Sequence, residues 1–206
     1  GVVGTNAIRM ALGMGADVTV IDRSVKTLTE LDEQYGGRLR TLYSTADAIE
    51  EAASHADLII GAVLVAGASA PKLVTRDTLK KLKPGTVMVD VAIDQGGCFE
   101  TSRPTTHADP TYVIDQIVHY CVANMPGAVA RTATMALTNA TLPYIQRLAQ
   151  CDLDTLLQDD PHFANGLNIR AGKITHPAVA AALANAATEP SATPLSDRAH
   201  AMGNAA

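Results

Sequence analysis

The sequence contains no tryptophan, only two phenylalanines and five tyrosines, and only three cysteines among its 206 residues. Cys98, Cys121 and Cys151 are odd in number and widely spaced, so they predict neither a disulfide framework nor a zinc site. This cysteine usage favours a reducing compartment, and we expect a cytoplasmic location and no bound metal. The most apolar stretch, LIIGAVLVAGASA, is too short and too rich in Gly and Ser to predict a membrane span.

Positive charge is also scarce, with 16 Lys and Arg against 21 Asp and Glu and a net charge of −5. This balance gives no electrostatic basis for binding nucleic acid or an anionic membrane. The hydrophobic fraction of 47% is ordinary for a globular protein. A chain of this length can form one domain, or one domain and part of another.

Short apolar segments alternate with helical segments through the first hundred residues. We predict strands at 17–21, 38–44, 57–63 and 86–93. We predict helices at 3–14, 25–35, 45–55 and 76–83, with Ser24, Thr45 and Thr75 as caps. This alternation predicts an α/β fold with a doubly wound, parallel, Rossmann-like sheet.

The pattern changes after Gly97. Residues 98–110 form a polar loop, and TYVIDQIVHYCVAN predicts one or two further strands. Residues 129–150 predict a long helix that contains Pro143, and 151–186 predict short helices and loops. We therefore divide the chain into a nucleotide-binding domain, 1–128, and a helical segment, 129–206, with a mobile tail from about 187.

The opening GVVGTNAIRMALGMGADVTVIDRS has the pattern of a dinucleotide-binding turn. Glycines at a helix start let backbone approach a pyrophosphate, and Asp22 follows Gly4 at close to the usual interval of about 20 residues for a ribose-binding carboxylate. A carboxylate there disfavours a 2′-phosphate and so favours NAD over NADP, although Arg23 lies beside it. The alternative is that Gly1 and Gly4 form only a loop at a helix start.

Two further stretches place polar groups after predicted strands, where ligands bind in such sheets. In VDVAIDQGGCFETSRPTTH, Asp94 precedes two glycines and either takes part in chemistry or caps a turn. In HYCVANMPGAV, the Asn124 amide suits a nicotinamide carboxamide, or the segment is a plain connection. Ser44 either lies near the adenine or caps a helix, and His119 is expected to be a core residue.

Together these stretches resemble alanine dehydrogenase. The resemblance rests on GADVTVIDRS, ADLIIGAVLVAGASAPKLVT, VDVAIDQGGCFETSRPTTH, YCVANMPGAVARTATMALTNATLPY and, more loosely, GLNIRAGKITHPAVAAAL, and it extends to about residue 186. It implies NAD-dependent oxidative deamination of L-alanine to pyruvate and ammonia by a homo-oligomer, a hexamer or a dimer. The NAD-binding subunit of proton-translocating transhydrogenase is a more divergent relative, so a transhydrogenase subunit and a non-catalytic NAD-binding module are the alternatives.

The resemblance assigns a role to individual residues. Asp94 matches the catalytic aspartate of the family, whereas Thr27 stands where a basic residue often follows the ribose carboxylate. The residues assigned to NAD binding are Gly1, Val2, Val3 and Gly4 at the pyrophosphate, Asp22 at the ribose, Ser44 near the adenine, Val63 and Leu64 in the cleft, and Val91, Ala92, Ile93, Asp94, Arg103, Val122, Ala123, Asn124 and Met125 around the nicotinamide.

The resemblance also implies that the chain is a fragment. Gly1 and Gly4 match the second and third glycines of the family's GxGxxG motif, which follows a strand and a substrate domain that carries the catalytic histidine and a substrate-binding lysine. Because that first strand is central in a doubly wound sheet, we expect its absence to leave two unpaired strand edges.

Overall fold

The computed structural model describes residues 1–63 and 70–188. The chain divides into two compact units, Gly1–Thr138 and Asn139–Ala206. The predicted site residue Leu64 and most of the predicted mobile tail lie outside the described residues. No helix in the described ranges is both long enough and apolar enough to cross a membrane.

The first unit contains the predicted alternation of strands and helices. Its strands are β1 (Val18–Asp22), β2 (Leu39–Tyr43), β3 (Leu58–Gly61), β4 (Val87–Asp90), β5 (Thr111–Ile114) and β6 (Ile117–Tyr120). Its helices are α1 (Val2–Gly13), α2 (Val25–Tyr35), α3 (Ala46–His55), α4 (Arg76–Leu79) and the first part of α5 (Ala130–Gln150). The predicted α/β fold is confirmed, and the TYVIDQIVHYCVAN segment forms two strands.

The strands form two separate sheets. β1 pairs in parallel with β2, while a second sheet has the order β3-β4-β6-β5, in which only β5 is antiparallel. Among the described residues, β1 and β3 therefore each have one edge with no partner strand. In β3, Leu58 is 52% exposed and Ile60 is 38% exposed, although the apolar run predicts a strand buried on both faces. The expected pair of unpaired edges is thus present.

The predicted helix caps are confirmed. The side-chain oxygens of Ser24, Thr45 and Thr75 each accept a hydrogen bond from the backbone N–H three residues later, at 3.1–3.2 Å. Such caps satisfy donors that a helix start otherwise leaves unpaired. α4 is shorter than predicted, because the N–H groups of Lys81 and Leu82 bond three residues back and close tight turns before Pro84.

Two apolar clusters hold the first unit together. Phe99, Leu79, Met88 and Ile117 are the largest apolar side chains that are at most 1% exposed in the cluster around the four-stranded sheet. Burying side chains of this size contributes about 1.5–3 kcal/mol each. The second cluster lies where α1 and α2 pack on the other sheet and consists of Ile8, Leu12, Leu31 and Leu39, with Val18, Val20 and Tyr35 beside them.

The second unit is helical, as predicted, with one small hairpin. It contains the end of α5, α6 (Leu153–Asp159), α7 (Pro161–Ala164), β7 (Ile169–Arg170), β8 (Lys173–Ile174) and α8 (Pro177–Thr188). Pro143 lies inside α5. Asp160 caps α7 through the N–H of Phe163 at 2.9 Å and accepts an ion-pair hydrogen bond from Arg147 at 2.8 Å, which joins α5 to α7.

Candidate nucleotide-binding and catalytic site

The start of α1 has the features of an anion-binding helix terminus. Gly1 is the N-cap, no side chain caps the helix, and its first turn contains no acidic residue. The N–H groups of the first turn therefore keep their partial positive charge and are free for a ligand. A Cβ atom at Gly1 or Gly4 would meet no atom within 4 Å, so packing does not require glycine at either position. A ligand that approaches the backbone closely gives a reason for both glycines.

Asp22 ends β1, and Ser44 directly follows the neighbouring strand β2. The Ser44 N–H donates to the Asp22 carbonyl oxygen at 3.0 Å, and the Ser24 N–H donates to Asp22 Oδ1 at 2.8 Å. These bonds fix the half-buried Asp22 carboxylate at the end of β1. Thr45, and not Ser44, caps the following helix, so the capping alternative for Ser44 is wrong.

Three predicted site residues follow the carboxyl ends of adjacent parallel strands. Val63 follows β3, Asp94 follows β4 and Asn124 follows β6, and these strands are neighbours in the order β3-β4-β6. Ligands bind beyond the carboxyl ends of strands in sheets of this kind. Their placement therefore agrees with the expectation that a ligand meets this edge of the sheet.

The segment after β4 presents Asp94 to solvent. The strand ends at Asp90 rather than at residue 93 as predicted, and a 3₁₀ turn over Ile93–Gln95 follows. Asp90 Oδ1 accepts a hydrogen bond from the N–H of Ala92 at 3.0 Å, which turns the backbone out of the sheet. Within the described residues the exposed Asp94 carboxylate accepts no hydrogen bond, so the turn is capped by Asp90 and not by Asp94.

Arg103 is held on an aromatic ring at this edge of the sheet. Its guanidinium carbon lies 4.0 Å from the centroid of the Tyr112 ring, and its backbone N–H donates to the Tyr112 hydroxyl at 2.8 Å. A cation above an aromatic face is stabilised by the charge distribution of the ring. The exposed guanidinium therefore has a defined position in which an anionic or amide group can meet it.

The buried His119 has a structural role, as expected. Its Nδ1–H donates to the Ile117 carbonyl at 3.1 Å, its Nε2 accepts from the Thr101 hydroxyl at 2.8 Å, and its ring stacks on Tyr112 with centroids 4.9 Å apart. Burial lowers the pKa of His119, which keeps the ring neutral. It thus supports Tyr112, on which Arg103 rests.

Asn124 occupies a backbone conformation that few side chains tolerate, with φ 57° and ψ 51°. Its carbonyl oxygen accepts from the Gly127 N–H at 2.9 Å and is 3.0 Å from His107 Nε2. A Cβ atom at Gly127 would lie 3.2 Å from both Asn124 Nδ2 and His107 Nε2. Sequence reasoning assigned no role to His107, and its position at the end of the AIDQGGCFETSRPTTH block is the signal that could have found it.

The remaining predicted residues differ in what they can offer a ligand. Ala92, Ile93 and Val122 are buried, so their side chains belong to the core and only their backbone atoms can face a cofactor. Ala123 is exposed, and Val91 and Met125 are half-buried. Asp90 is the residue that sequence reasoning missed most clearly, because nothing in VDVAID distinguishes its carboxylate from that of Asp94.

Comparison with known proteins places this arrangement in one family. Residues 1–177 match the family model described as "Alanine dehydrogenase/PNT, C-terminal domain". The chain is 67% identical over 182 residues to the alanine dehydrogenase of Halomonas elongata and 50% identical over 190 residues to that of Mycobacterium tuberculosis. These matches cover 88% and 92% of this chain but 49% and 51% of the relatives, so the chain spans about half of their length.

Solved structures agree with the sequence matches. An L-alanine dehydrogenase structure has a TM-score of 0.79 at 49% identity and covers 90% of this chain and 51% of that chain. A transhydrogenase from Sinorhizobium meliloti is more distant, with a TM-score of 0.60 at 27% identity over 86% of this chain and 48% of that chain. The fold, the matched family model and these identities together establish that the chain belongs to the alanine dehydrogenase/PNT C-terminal domain family.

Proposed function

We propose that the chain forms the NAD-binding part of an L-alanine dehydrogenase, which converts L-alanine and water reversibly to pyruvate and ammonia with reduction of NAD. The observation that supports this most strongly is the Asp94 carboxylate, which lies exposed and without a hydrogen bond from the described residues at the end of β4. It stands between the strand ends that carry Val63 and Asn124, in a family whose named relatives are alanine dehydrogenases.

The residues fit NAD. The uncapped first turn of α1 suits the pyrophosphate, since its N–H groups and partial positive charge face an anion. The Asp22 carboxylate suits the two ribose hydroxyls and repels a 2′-phosphate, which favours NAD over NADP. The Asn124 side chain both donates and accepts, as a carboxamide partner must. Val63, which follows β3, borders the proposed cleft.

Asp94 supplies proton transfer in this proposal. NAD held by the start of α1 and by Asp22 would supply the acceptor for the hydride on the Cα atom of alanine. Asp94 takes a proton from the water that adds to the iminium carbon and returns it to the nitrogen. The C–N bond then breaks as the new hydroxyl group loses its proton, which releases ammonia and leaves pyruvate. Arg103, held above Tyr112, lies on the segment that follows Asp94 and borders the nicotinamide end.

The oligomeric state and the location belong to the same proposal. The resemblance favours a homo-oligomer, a hexamer or a dimer, and the cysteine usage favours the cytoplasm. The transhydrogenase alternative differs chemically, because it needs a second nucleotide and no amino acid.

A chimera tests the proposal directly. In the Halomonas chimera, this chain replaces the matching segment of the Halomonas elongata relative. Formation of NADH that depends on L-alanine, and that disappears on Asp94→Asn, supports the proposal. Hydride transfer between nucleotides without alanine supports a transhydrogenase, and NAD binding with neither reaction supports a non-catalytic module; either result contradicts it.

A further inference from the structure

We infer that Asp90 is a positioning residue for Asp94: its buried carboxylate closes residues 91–102 into a loop that presents the Asp94 side chain at the end of β4. The inference rests on the proposed function, since it concerns how that site is held. Asp90 is 0% exposed and is the last residue of β4.

The Asp90 carboxylate gathers donors from both ends of the loop. Its oxygens accept five hydrogen bonds, which come from the N–H groups of Ala92 (3.0 Å), Cys98 (2.8 Å) and Phe99 (3.3 Å), the thiol of Cys98 (3.4 Å) and the hydroxyl of Ser102 (2.5 Å). A buried carboxylate is costly unless its oxygens are satisfied in this way. Ala92 precedes Asp94 in the chain, and the other donors follow it. Their hydrogen bonds to Asp90 therefore fix the backbone on both sides of Asp94.

The thiol contact has a defined direction. Burial raises the pKa of the Cys98 thiol, and the neighbouring Asp90 carboxylate raises it further. Cys98 is therefore protonated and donates to Asp90 Oδ1. A buried thiolate in this position would instead repel the carboxylate.

The glycine pair that follows Asp94 brings the backbone close to the carboxylate. A Cβ atom on Gly97 would lie 2.7 Å from Asp90 Oδ2 and 2.8 Å from Ser102 Cβ, closer than atoms pack, and its φ of +74° is one that other residues avoid. Gly96 also has a positive φ, of +85°, although a Cβ atom there would meet nothing within 4 Å. The loop therefore needs glycine at 97 so that it can fold over Asp90.

A second set of bonds holds the loop from its outer side. The ammonium group of Lys72 donates to the carbonyl oxygens of Gly96 at 2.6 Å and Gly97 at 2.8 Å. The backbone of the same segment adds two bonds, from Ala70 N–H to the Gln95 carbonyl (3.1 Å) and from Leu73 N–H to the Cys98 carbonyl (2.7 Å). With Asp90 inside and Lys72 outside, the turn that carries Asp94 is fixed on both sides.

Replacing Asp90 by asparagine changes the bonding but hardly the shape. One of the two acceptor oxygens becomes an NH₂ group, which faces N–H, S–H or O–H donors and cannot accept from them. The loop must move to relieve this mismatch, and Asp94 moves with it. A catalytic group displaced by about 1 Å costs on the order of 100-fold in rate.

The test compares kinetic constants in the Halomonas chimera. We expect Asp90→Asn to lower kcat about 100-fold while the KM for alanine and the Kd for NAD change less than about threefold. We also expect the peptide 91–102 to exchange its amide hydrogens faster. Thr86→Val is the matched control, because it removes a buried hydrogen bond, to the Ala56 carbonyl at 3.1 Å, immediately before β4 begins; kcat and loop exchange should not change.

Three results of this comparison would contradict the inference. An unchanged kcat, an equal loss of NAD affinity, or an equal kcat loss in Thr86→Val would show that Asp90 does not act through Asp94. If Asp90→Asn fails to fold, Ser102→Ala takes its place, because it removes one hydrogen-bond donor and leaves the Asp90 carboxylate intact. We expect Ser102→Ala to lower kcat about fivefold. An unchanged kcat in this variant would overturn the inference. A parent chimera without activity contradicts the proposed function instead, and loop exchange in Asp90→Asn then decides the role of Asp90.

Discussion

The Ser44 N–H donates a hydrogen bond to the Asp22 carbonyl oxygen at 3.0 Å, so the ends of β1 and β2 are joined where the adenosine of a dinucleotide is proposed to lie. The Ser24 N–H, at 2.8 Å from Asp22 Oδ1, fixes the carboxylate itself. Two residues that are far apart in sequence thus form one polar edge. The proposed preference for NAD depends on this edge.

We predict that Asp22→Asn weakens NAD binding and reduces the preference for NAD over NADP. The change keeps the size of the side chain but removes a charge-assisted hydrogen bond to the ribose, which we expect to raise the Kd for NAD about tenfold. The same change removes the repulsion of the 2′-phosphate, so NADP binding should not weaken. Calorimetric titration of the Halomonas chimera with both nucleotides measures the ratio of the Kd values for NAD and NADP.

Asp17→Asn is the matched control for this comparison. Asp17 precedes β1 and pairs with Arg40 at 3.6 Å at the other end of the strand, with both side chains mostly exposed. It makes the same change in net charge away from the proposed ribose site. If the two variants change the Kd for NAD equally, or if Asp22→Asn leaves the ratio of the Kd values for NAD and NADP unchanged, Asp22 does not select the cofactor.

We predict that the 206-residue chain alone forms no NADH from alanine and binds NAD more weakly than micromolar. The unpaired edges of β1 and β3 and the exposed Leu58 and Ile60 favour self-association over a fixed nucleotide site. An unanchored glycine turn at Gly1 must also be ordered when it binds. Calorimetry of the purified chain, with its oligomeric state measured by light scattering, tests this.

The Halomonas chimera is the reference for that measurement, since it holds the same residues. Micromolar NAD binding by a monodisperse, monomeric 206-residue chain would show that a partner strand beside β1 and β3 is not needed. The account of the unpaired edges would then be wrong.

We predict that acid destabilises the protein through His119. Burial lowers the pKa of His119 in the folded state. At pH values below the ordinary histidine pKa of about 6.5, the unfolded state therefore binds more protons than the folded state. The free energy of unfolding therefore falls as the pH drops below that value and levels off below the folded-state pKa. His119→Gln should reduce the difference in unfolding free energy between pH values of about 7.5 and 5.5, measured by urea denaturation.

His55→Gln provides the comparison, because His55 is exposed at the end of α3. The pH dependence of the unfolding free energy should decrease more in His119→Gln than in His55→Gln. A pH dependence in His119→Gln equal to that of the parent protein would mean that protonation of His119 is not coupled to folding.

Local patterns predicted most of the first unit. α2 and α3 end at the residues that the patterns indicate, and Ser24, Thr45 and Thr75 cap where their side chains predict. These features depend on neighbours within a few residues, so sequence alone carries them. The unpaired edges of β1 and β3 were expected from the family resemblance, but the division of the strands into two sheets was not.

The site was harder to predict, because its geometry depends on contacts between distant residues. VDVAID predicts a continuous strand, yet Asp90 ends the strand by accepting bonds from a segment that folds back over it. The contact between His107 and Asn124 joins residues that no local pattern relates. Hydrophobic periodicity reports which face is buried, not which carboxylate gathers the donors.

The effect of Asp94→Asn on kcat and on the Kd for NAD in the Halomonas chimera decides whether Asp94 transfers protons. We predict that kcat falls about 1,000-fold, since proton transfer by a positioned carboxylate contributes on this scale. The Kd for NAD should change less than about threefold. Asp109→Asn, an exposed aspartate in the following loop, should leave both constants unchanged. An unchanged kcat, or an NAD affinity that falls by the same factor as kcat, would show that Asp94 is not the proton-transfer group.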